Sequence, residues 1–382
     1  MERGRYCSRH FLGTQALVLR SLPFAPPGIP NEDGVTIRHR LLALGDWHED
    51  SQQHRLSIMD LQVEEGGRQE RRANVQELAS WQAIGSIGCL KVGDMGSGDL
   101  VVLAGTSTGN VSRLRLQAPL APGADPSGVQ LMGEGDIDGT QLLPWQQLHQ
   151  GSVAALDICT ETREAVTAGS DGALMVLPLD SPAGAQSIMQ PRSSASYAAV
   201  CWSSPQAFVS AGTSGGLEIW DRRRSGKPQL RSPISWGITG SGALDAAQGQ
   251  GLSRQIHCLA VHPSRPHLCV TGASQGTLAV WDLRMTSAPA VQSAAKPGSG
   301  DVLEVCFDLQ DPFTAAAADP AVLFCTSGGL LGQLSTATGG KPPVVLYEEP
   351  NSQICSLDIE ASTGQDIMCA TDQECLVFLS QH

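Results

Sequence analysis

In the stretch GGLEIWDRRRSGKPQL, residues 215–230, a Trp-Asp pair runs straight into three arginines. Arg222, Arg223 and Arg224, with Lys227 and Arg231, place five cations within ten residues. Such a cluster can line a solvated loop, meet an acidic partner surface, or bind phosphate. The rest of the chain argues against nucleic acid. It carries 25 basic and 38 acidic residues, a net charge of −13 and a pI near 5.1. A chain this acidic repels a phosphate backbone over any broad face. The same Trp-Asp-x-Arg pattern returns at Trp281, Asp282 and Arg284.

Other residues with chemical potential are weaker. His257, His262 and His267 fall within eleven residues, as metal ligands can. On a strand, however, 257 and 262 differ by an odd number and face opposite sides. GEGDIDG, residues 133–139, is acidic but lacks the alternating ligands and final Glu of a calcium loop. GTSTG, GTSGG and GASQG are glycine-rich, yet none leads into Lys-Ser/Thr or a helix. They fit hairpin turns rather than phosphate cradles. No Cys-x-x-Cys and no Gly-x-Ser-x-Gly occurs. The eleven cysteines are scattered. Cys201, Cys258, Cys269, Cys306 and Cys369 lie in apolar runs, as buried reduced thiols of a cytosolic or nuclear protein do. The expectation is therefore no catalytic residue, no metal and no cofactor.

The elements that hold these residues repeat. AFVSAGTSGGLEIWDRR, ending at Arg223, and HLCVTGASQGTLAVWDLR, ending at Arg284, share one plan. Each is an apolar strand, a Gly-rich turn, an alternating strand, then Trp-Asp-x-Arg. Leu217 and Ile219, like Leu278 and Val280, fall on one face with period two. Weaker copies put Met59, Leu114, Leu177, Leu334 and Leu379 where the Trp stands, with Asp60 keeping the Asp. The seven anchors 59, 114, 177, 220, 281, 334 and 379 are spaced by 55, 63, 43, 61, 53 and 45 residues. Strand-rich units at this period are propeller blades. Longer spacings imply loop insertions, expected near 64–80, 117–148, 228–254 and 286–300. The whole chain, 1–382, reads as one all-β, seven-bladed propeller.

These repeats resemble WD repeats. The resemblance implies a structural hydrogen-bonded set: a His before the blade, a Ser or Thr on the second strand, an Asp in the turn, and the Trp. No blade is complete. The blade of Leu177 keeps His149, Thr167 and Asp171; that of Trp220 keeps Ser210 but has Ser214 at the turn; that of Trp281 keeps Thr271 but has Gln275 there. Trp220, Asp221, Trp281, Asp282, Asp60, His149, Thr167 and Asp171 are the expected blade-structural residues. Trp220 is expected to pack between blades.

Only three residues follow Leu379, so the final blade lacks an outer strand. Strand exchange from the N-terminus is the expected remedy, because it removes a free edge. The apolar run Phe11 to Leu19 is placed to supply that strand or the next one inward. Arg3, Arg5 and Arg9 before this run also suit a targeting peptide, but Gln15 interrupts it and no clear cleavage site follows. No apolar run reaches the roughly 18 residues that a membrane-spanning helix needs.

The order of features narrows the resemblance. LLALGDWHEDSQQHRLSIMDL, LEIWDRRRSGKPQL, IHCLAVHPSRPHLCVTGASQGTLAVWDLR and SLDIEASTGQDIMCATDQECLVFL succeed one another. This succession resembles the WD-repeat nucleoporins of the Y-shaped scaffold complex of the nuclear pore. What that implies is a non-catalytic scaffold at the nuclear envelope, supporting transport of mRNA and protein. Its partners would be other nucleoporins, above all an α-solenoid of the short arm such as nucleoporin 85. Neither direct nucleic-acid binding nor membrane insertion is implied. The family's motifs assign no contact residues; from the residues themselves, Arg222, Arg223, Arg224, Lys227 and Arg284 are candidates. The two Trp-Asp-x-Arg boxes also resemble those of substrate receptors of cullin-based ubiquitin ligases, where Arg223 and Arg284 would face the adaptor.

Overall fold

The computed structural model describes residues 5–23, 36–48, 53–65, 73–96, 98–117, 128–133, 145–181, 184–191, 196–213, 216–224, 226–232, 255–308, 319–337, 342–360 and 366–381. Among them the strands form seven four-stranded antiparallel sheets, and there is no α-helix. This is the seven-bladed β-propeller fold expected from the repeat. By contacts the chain divides into two compact units, Met1–Leu148 with Cys355–His382, and His149–Ile354.

The first unit opens with β1 (Arg5–Phe11). The first blade follows as β2 (Gln15–Ser21), β3 (Thr36–His48), β4 (Gln53–Glu65) and β5 (Ala73–Gln82). The second blade is β6 (Ile87–Asp94), β7 (Leu100–Thr106), β8 (Val111–Gln117) and β9 (Gln130–Gly133). In the second unit the third blade is β10 (Val153–Cys159), β11 (Glu164–Gly169), β12 (Leu174–Pro178) and β13 (Gln186–Met189). The fourth is β14 (Tyr197–Ser204), β15 (Ala207–Gly212), β16 (Leu217–Asp221) and β17 (Leu230–Arg231). The fifth is β18 (Ile256–His262), β19 (Arg265–Ala273), β20 (Thr277–Asp282) and β21 (Val291–Ala294). The sixth is β22 (Val302–Asp308), β23 (Ala321–Thr326), β24 (Leu330–Ser335) and β25 (Val344–Glu348). The seventh, largely in the first unit, is β26 (Ile354–Ile359), β27 (Asp366–Thr371) and β28 (Cys375–Gln381), completed by β1.

All seven anchors sit at one position, on the third strand of a blade. Met59 pairs with Leu42, Leu114 with Val102, Leu177 with Ala165, Trp220 with Phe208, Trp281 with Cys269, Leu334 with Val322 and Leu379 with Ile367. All seven are buried. Second strands are buried on both faces, which is why LVVLAGT, EAVTAG and AVLFCT are continuous apolar runs rather than alternations. The apolar clusters lie between neighbouring sheets. Trp220 joins Val166, Val176, Trp202 and Phe208 from the third and fourth blades, as expected of an inter-blade packer. Trp281 joins Val209 and Ile219 across the fourth and fifth.

A second regularity was not visible in the sequence. The register between first and second strands slips by one at Ala16/Val18, Ile87/Cys89, Val153/Ala155, Tyr197/Ala199, Ile256/Cys258 and Val302/Glu304. A bulge at this point sharpens the local twist of the inner strand. Opposite its far side stands a small residue: Gly45, Gly105, Ala168, Ala211, Gly272 or Cys325. The next blade explains the size limit. A Cβ on Gly272 would lie 2.4 Å from Val302 Cγ1.

Closure differs in detail from expectation. The outer strand of the seventh blade is Arg5–Phe11, paired from Arg5↔Gln381 to Phe11↔Cys375. After a turn at Gly13, where φ is +67°, Gln15–Ser21 becomes the innermost strand of the first blade. The run Phe11–Leu19 is thus split between two blades. Its apolarity marks the buried inner strand, whereas the closing strand, RYCSRHF, is a polar edge. The four stretches expected as insertions each hold part or all of an outer strand: β5, β9, β17 and β21. These four outer strands are only partly buried and carry no continuous apolar run.

Candidate functional site: the Asp-x-Arg corners

The histidine-centred set of the third blade assembles as its residue types suggest. His149 Nε2 lies 2.9 Å from Thr167 Oγ1, and His149 Nδ1 lies 3.2 Å from Asp171 Oδ1. Asp171 also accepts the N–H of Gln150 at 2.8 Å and of Ala173 at 3.0 Å. Burial lowers the His149 pKa, against the opposing pull of Asp171. For Asp171, burial acts upward but is outweighed by the two backbone N–H bonds and by His149, so its pKa falls. Gly169 leaves room for this pair: a Cβ there would lie 2.2 Å from both His149 Nδ1 and Asp171 Oδ1. The fourth and fifth blades keep the other half. Trp220 Nε1–H donates to Ser210 Oγ at 2.8 Å, and Trp281 Nε1–H to Thr271 Oγ1 at 3.0 Å. These groups satisfy one another and leave nothing aimed at a ligand. Ser214 lies outside the described residues, and Gln275 takes a left-handed φ of 57°.

Asp60 matches Asp221 in register but not in setting. Its strand runs on to Glu65, so Asp60 is buried in mid-sheet rather than at a corner. It lies 2.8 Å from His39 Nδ1 and accepts Gln62 Nε2–H at 3.0 Å.

The Trp-Asp-x-Arg boxes build two near-identical turns just past β16 and β20. Asp221 accepts the Arg223 backbone N–H at 3.0 Å, its Nε–H at 2.9 Å and its NH2 group at 2.7 Å. Asp282 does the same for Arg284, at 3.0, 2.9 and 2.6 Å. The turns close alike, with the N–H of Arg224 on the Asp221 carbonyl at 2.9 Å and that of Met285 on the Asp282 carbonyl at 2.8 Å. The side-chain hydrogen bond from Arg284, with help from its backbone N–H, holds Asp282 near pKa 2. The equivalent bonds from Arg223 hold Asp221 well below the usual carboxylate range. The arginine side chains stay 67% and 68% exposed. Each is therefore a fixed guanidinium with its outer N–H edge toward solvent.

Neighbouring blades vary the device. In the third, Pro178 replaces the Asp, and Arg163 donates instead to Asp180 at 2.9 Å. In the sixth, Ser335 Oγ accepts the Ala337 N–H at 3.3 Å, with no charge.

Of the predicted cations, Arg222 pairs with Glu164 of the third blade, and Arg231 with Glu218 at 2.9 Å. Arg224 and Lys227 are exposed and form no ion pair among the described residues. Sequence reasoning named these cations but could not say which were already neutralised, because Glu164 is 58 residues from Arg222. It also missed the exposed Leu230 and Met285 beside them, and the buried Arg40, which meets Glu360 at 3.0 Å and Asp366 at 2.7 Å. An arginine inside an apolar strand is the signal that could have flagged Arg40.

The remaining candidates disperse. His257 Nε2 lies 3.0 Å from Ser274 Oγ, while His262 Nδ1 accepts the N–H groups of Ser264 and Arg265 at 3.1 Å. Among the described residues no three His, Cys, Asp or Glu side chains form a metal-holding group. All eleven cysteines are free, and burial pushes Cys89 and Cys269 up to about 12. Residues 134–139 of the acidic loop, and Ser214 and Gly215 of GTSGG, lie outside the described residues.

No family model matches the chain. Among known proteins it is similar to the nuclear pore complex protein NUP43 of Arabidopsis thaliana: 27% identical over 358 residues, covering 90% of this chain and 91% of that protein. It is 28% identical over 163 residues to nucleoporin Nup43 of Mus musculus, covering 42% of this chain and 38% of the relative. Against nucleoporin Nup43 of Homo sapiens it is 28% identical over 151 residues, covering 39% and 35%.

Proposed function

We propose that this nucleoporin-43-like β-propeller is a non-catalytic scaffold subunit of the nuclear pore complex, resident at the nuclear envelope. The finer reading places it in the outer-ring Y-shaped assembly, acting as one domain over residues 1–382. There it would support transport of mRNA and protein by holding other nucleoporins, the first candidate being an α-solenoid of the nucleoporin 85 type. The observation that carries this is the extent of the similarity to the plant protein, 358 residues and nine-tenths of both chains. Likeness over that length takes in exposed corners as well as buried strands, and a scaffold acts through its exposed surface. The site chemistry agrees: polar groups at the turns are spent on one another, in line with a surface that binds protein rather than transforms a substrate.

The two Asp-x-Arg corners favour one rival, a substrate receptor of a cullin-based ubiquitin ligase. Endogenous tagging, with imaging and quantitative co-purification, separates the two. A nuclear-rim signal with Y-complex nucleoporins in the eluate is the expected result. A diffuse signal with a cullin adaptor and no nucleoporin overturns it.

A further inference from the structure

Five cations lie from Arg222 to Arg231, and three are paired with carboxylates: Arg222 with Glu164 of the third blade, and Arg223 with Asp221 and Arg231 with Glu218 of the fourth. Arg224 and Lys227 are what remains. Their loop is fixed at several points. The Gly226 N–H donates to the Ile188 carbonyl at 2.7 Å, and the Gln229 N–H to the Ile219 carbonyl at 2.7 Å. The side chain of Gln229 reaches Asp221 at 3.3 Å. Next to this loop Leu230 is 48% exposed, and in the fifth blade Met285, the counterpart of Arg224 in its turn, is 70% exposed. Among the described residues, this anchored loop leaves two exposed cations without an ion pair beside an exposed leucine, on a chain of net charge −13.

We propose that the corner of the fourth blade, Arg224 and Lys227 with Leu230, is a docking surface for an acidic protein segment that also carries an apolar side chain. The proposal rests on the scaffold reading only in requiring a protein partner. Carboxylates on that partner would meet the two free cations, and its apolar residue would cover Leu230. Arg222, Arg223 and Arg231 serve as frame, since each already faces a carboxylate of the third or fourth blade. A fixed loop loses little freedom on binding, so weak individual contacts retain their effect. Nucleic acid fits poorly. Two free cations on an acidic chain give little counterion release, and a phosphate backbone offers nothing for Leu230.

The test uses the full-length protein in cells. A photo-crosslinker at position 230 (Leu230→p-benzoylphenylalanine) is activated, and the linked peptide is sequenced. In parallel, Arg224→Glu with Lys227→Glu is compared with wild type for partner recovery at low and high salt. The expected result is a crosslink to an acidic protein segment and a tenfold or greater loss of that partner in the charge-reversed protein, with recovery falling as salt rises. Reversing the partner's acids at the crosslinked site should restore it. Undiminished partner recovery by the charge-reversed protein, a crosslink only to nucleic acid, or no crosslink at all overturns the proposal. An acidic partner that is not a nucleoporin upholds the surface and sinks the nuclear-pore reading. Nucleoporins retained by a charge-reversed protein do the opposite.

Discussion

The third and fourth blades keep opposite halves of one hydrogen-bonded network. The third has the histidine, threonine and aspartate but a leucine, Leu177, where the tryptophan would stand; the fourth has Trp220 and Ser210. Each half is self-sufficient. His149 and Asp171 satisfy the turn and its backbone, while Trp220 fills the space between sheets and stacks on Phe208 at 6.2 Å. The difference shows that turn and wedge are separable jobs. A blade can lose either without leaving a buried polar group exposed to penalty.

The largest way to break this comparison lies outside both blades. Removing residues 1–22 deletes the outer strand of the seventh blade and the buried Ala16, Val18, Leu19 and Leu22 of the first. We expect a loss on the order of 5 kcal/mol or more, as for several large core truncations. Circular dichroism melts would show a strongly lowered Tm or an insoluble product. An unchanged melt would mean that closure by β1 is dispensable.

Within the compared pair, Trp220→Ala should cost about 3–5 kcal/mol, since the side chain is fully buried. Leu177→Ala should cost about 2–5 kcal/mol. Urea titration checks both. A Trp220→Ala cost below about 1 kcal/mol would deny the wedge role.

The third blade's half is sensitive to pH. The buried His149 has a folded pKa below its unfolded value of 6.5, so the unfolded chain binds the proton first. Stability is whole above that value and falls as pH drops through it. Asp171, with its own pKa lowered, adds a second loss only as pH falls below the ordinary carboxylate range. The stability advantage of wild type over His149→Asn should therefore shrink between pH 7 and 5.5, by urea midpoint. The matching gap for Ser210→Ala in the fourth blade should stay flat. Parallel pH profiles would remove the distinction.

The smallest effect concerns the corners. Arg223→Ala with Arg284→Ala should lower Tm only slightly: both arginines are largely exposed, and the buried Asp221 keeps its bonds from the residue 223 backbone N–H and from Gln229. A clear drop in Tm would turn the corners from surface into structure.

How much of this could be read from residues alone follows from burial. The seven anchors were legible because each third strand carries a large apolar residue at an equivalent place. The polar half-networks were legible as residue types at known offsets. Outer strands were not, because β9 and β17 are short and little buried, four residues and two. Nor was the neutralisation of Arg222, since its partner sits on another blade. The closing strand was expected at Phe11–Leu19 and lies at Arg5–Phe11 for the same reason: hydrophobicity points to what is buried, and an edge is not.

The pairing of β1 with β28 also sets a clock. His10 faces Leu376, 366 residues away. During synthesis at about 5–20 residues per second, the strand made first waits on the order of tens of seconds for its partner. Through that interval β28's side of the ladder does not exist, and Arg5–Phe11 is an unpaired segment. Its arginines and histidine then have a second use. Charges on a waiting edge discourage it from pairing with the wrong strand. The polar character that hid this strand from a hydrophobicity reading also makes it a poor partner for other strands before β28 is made.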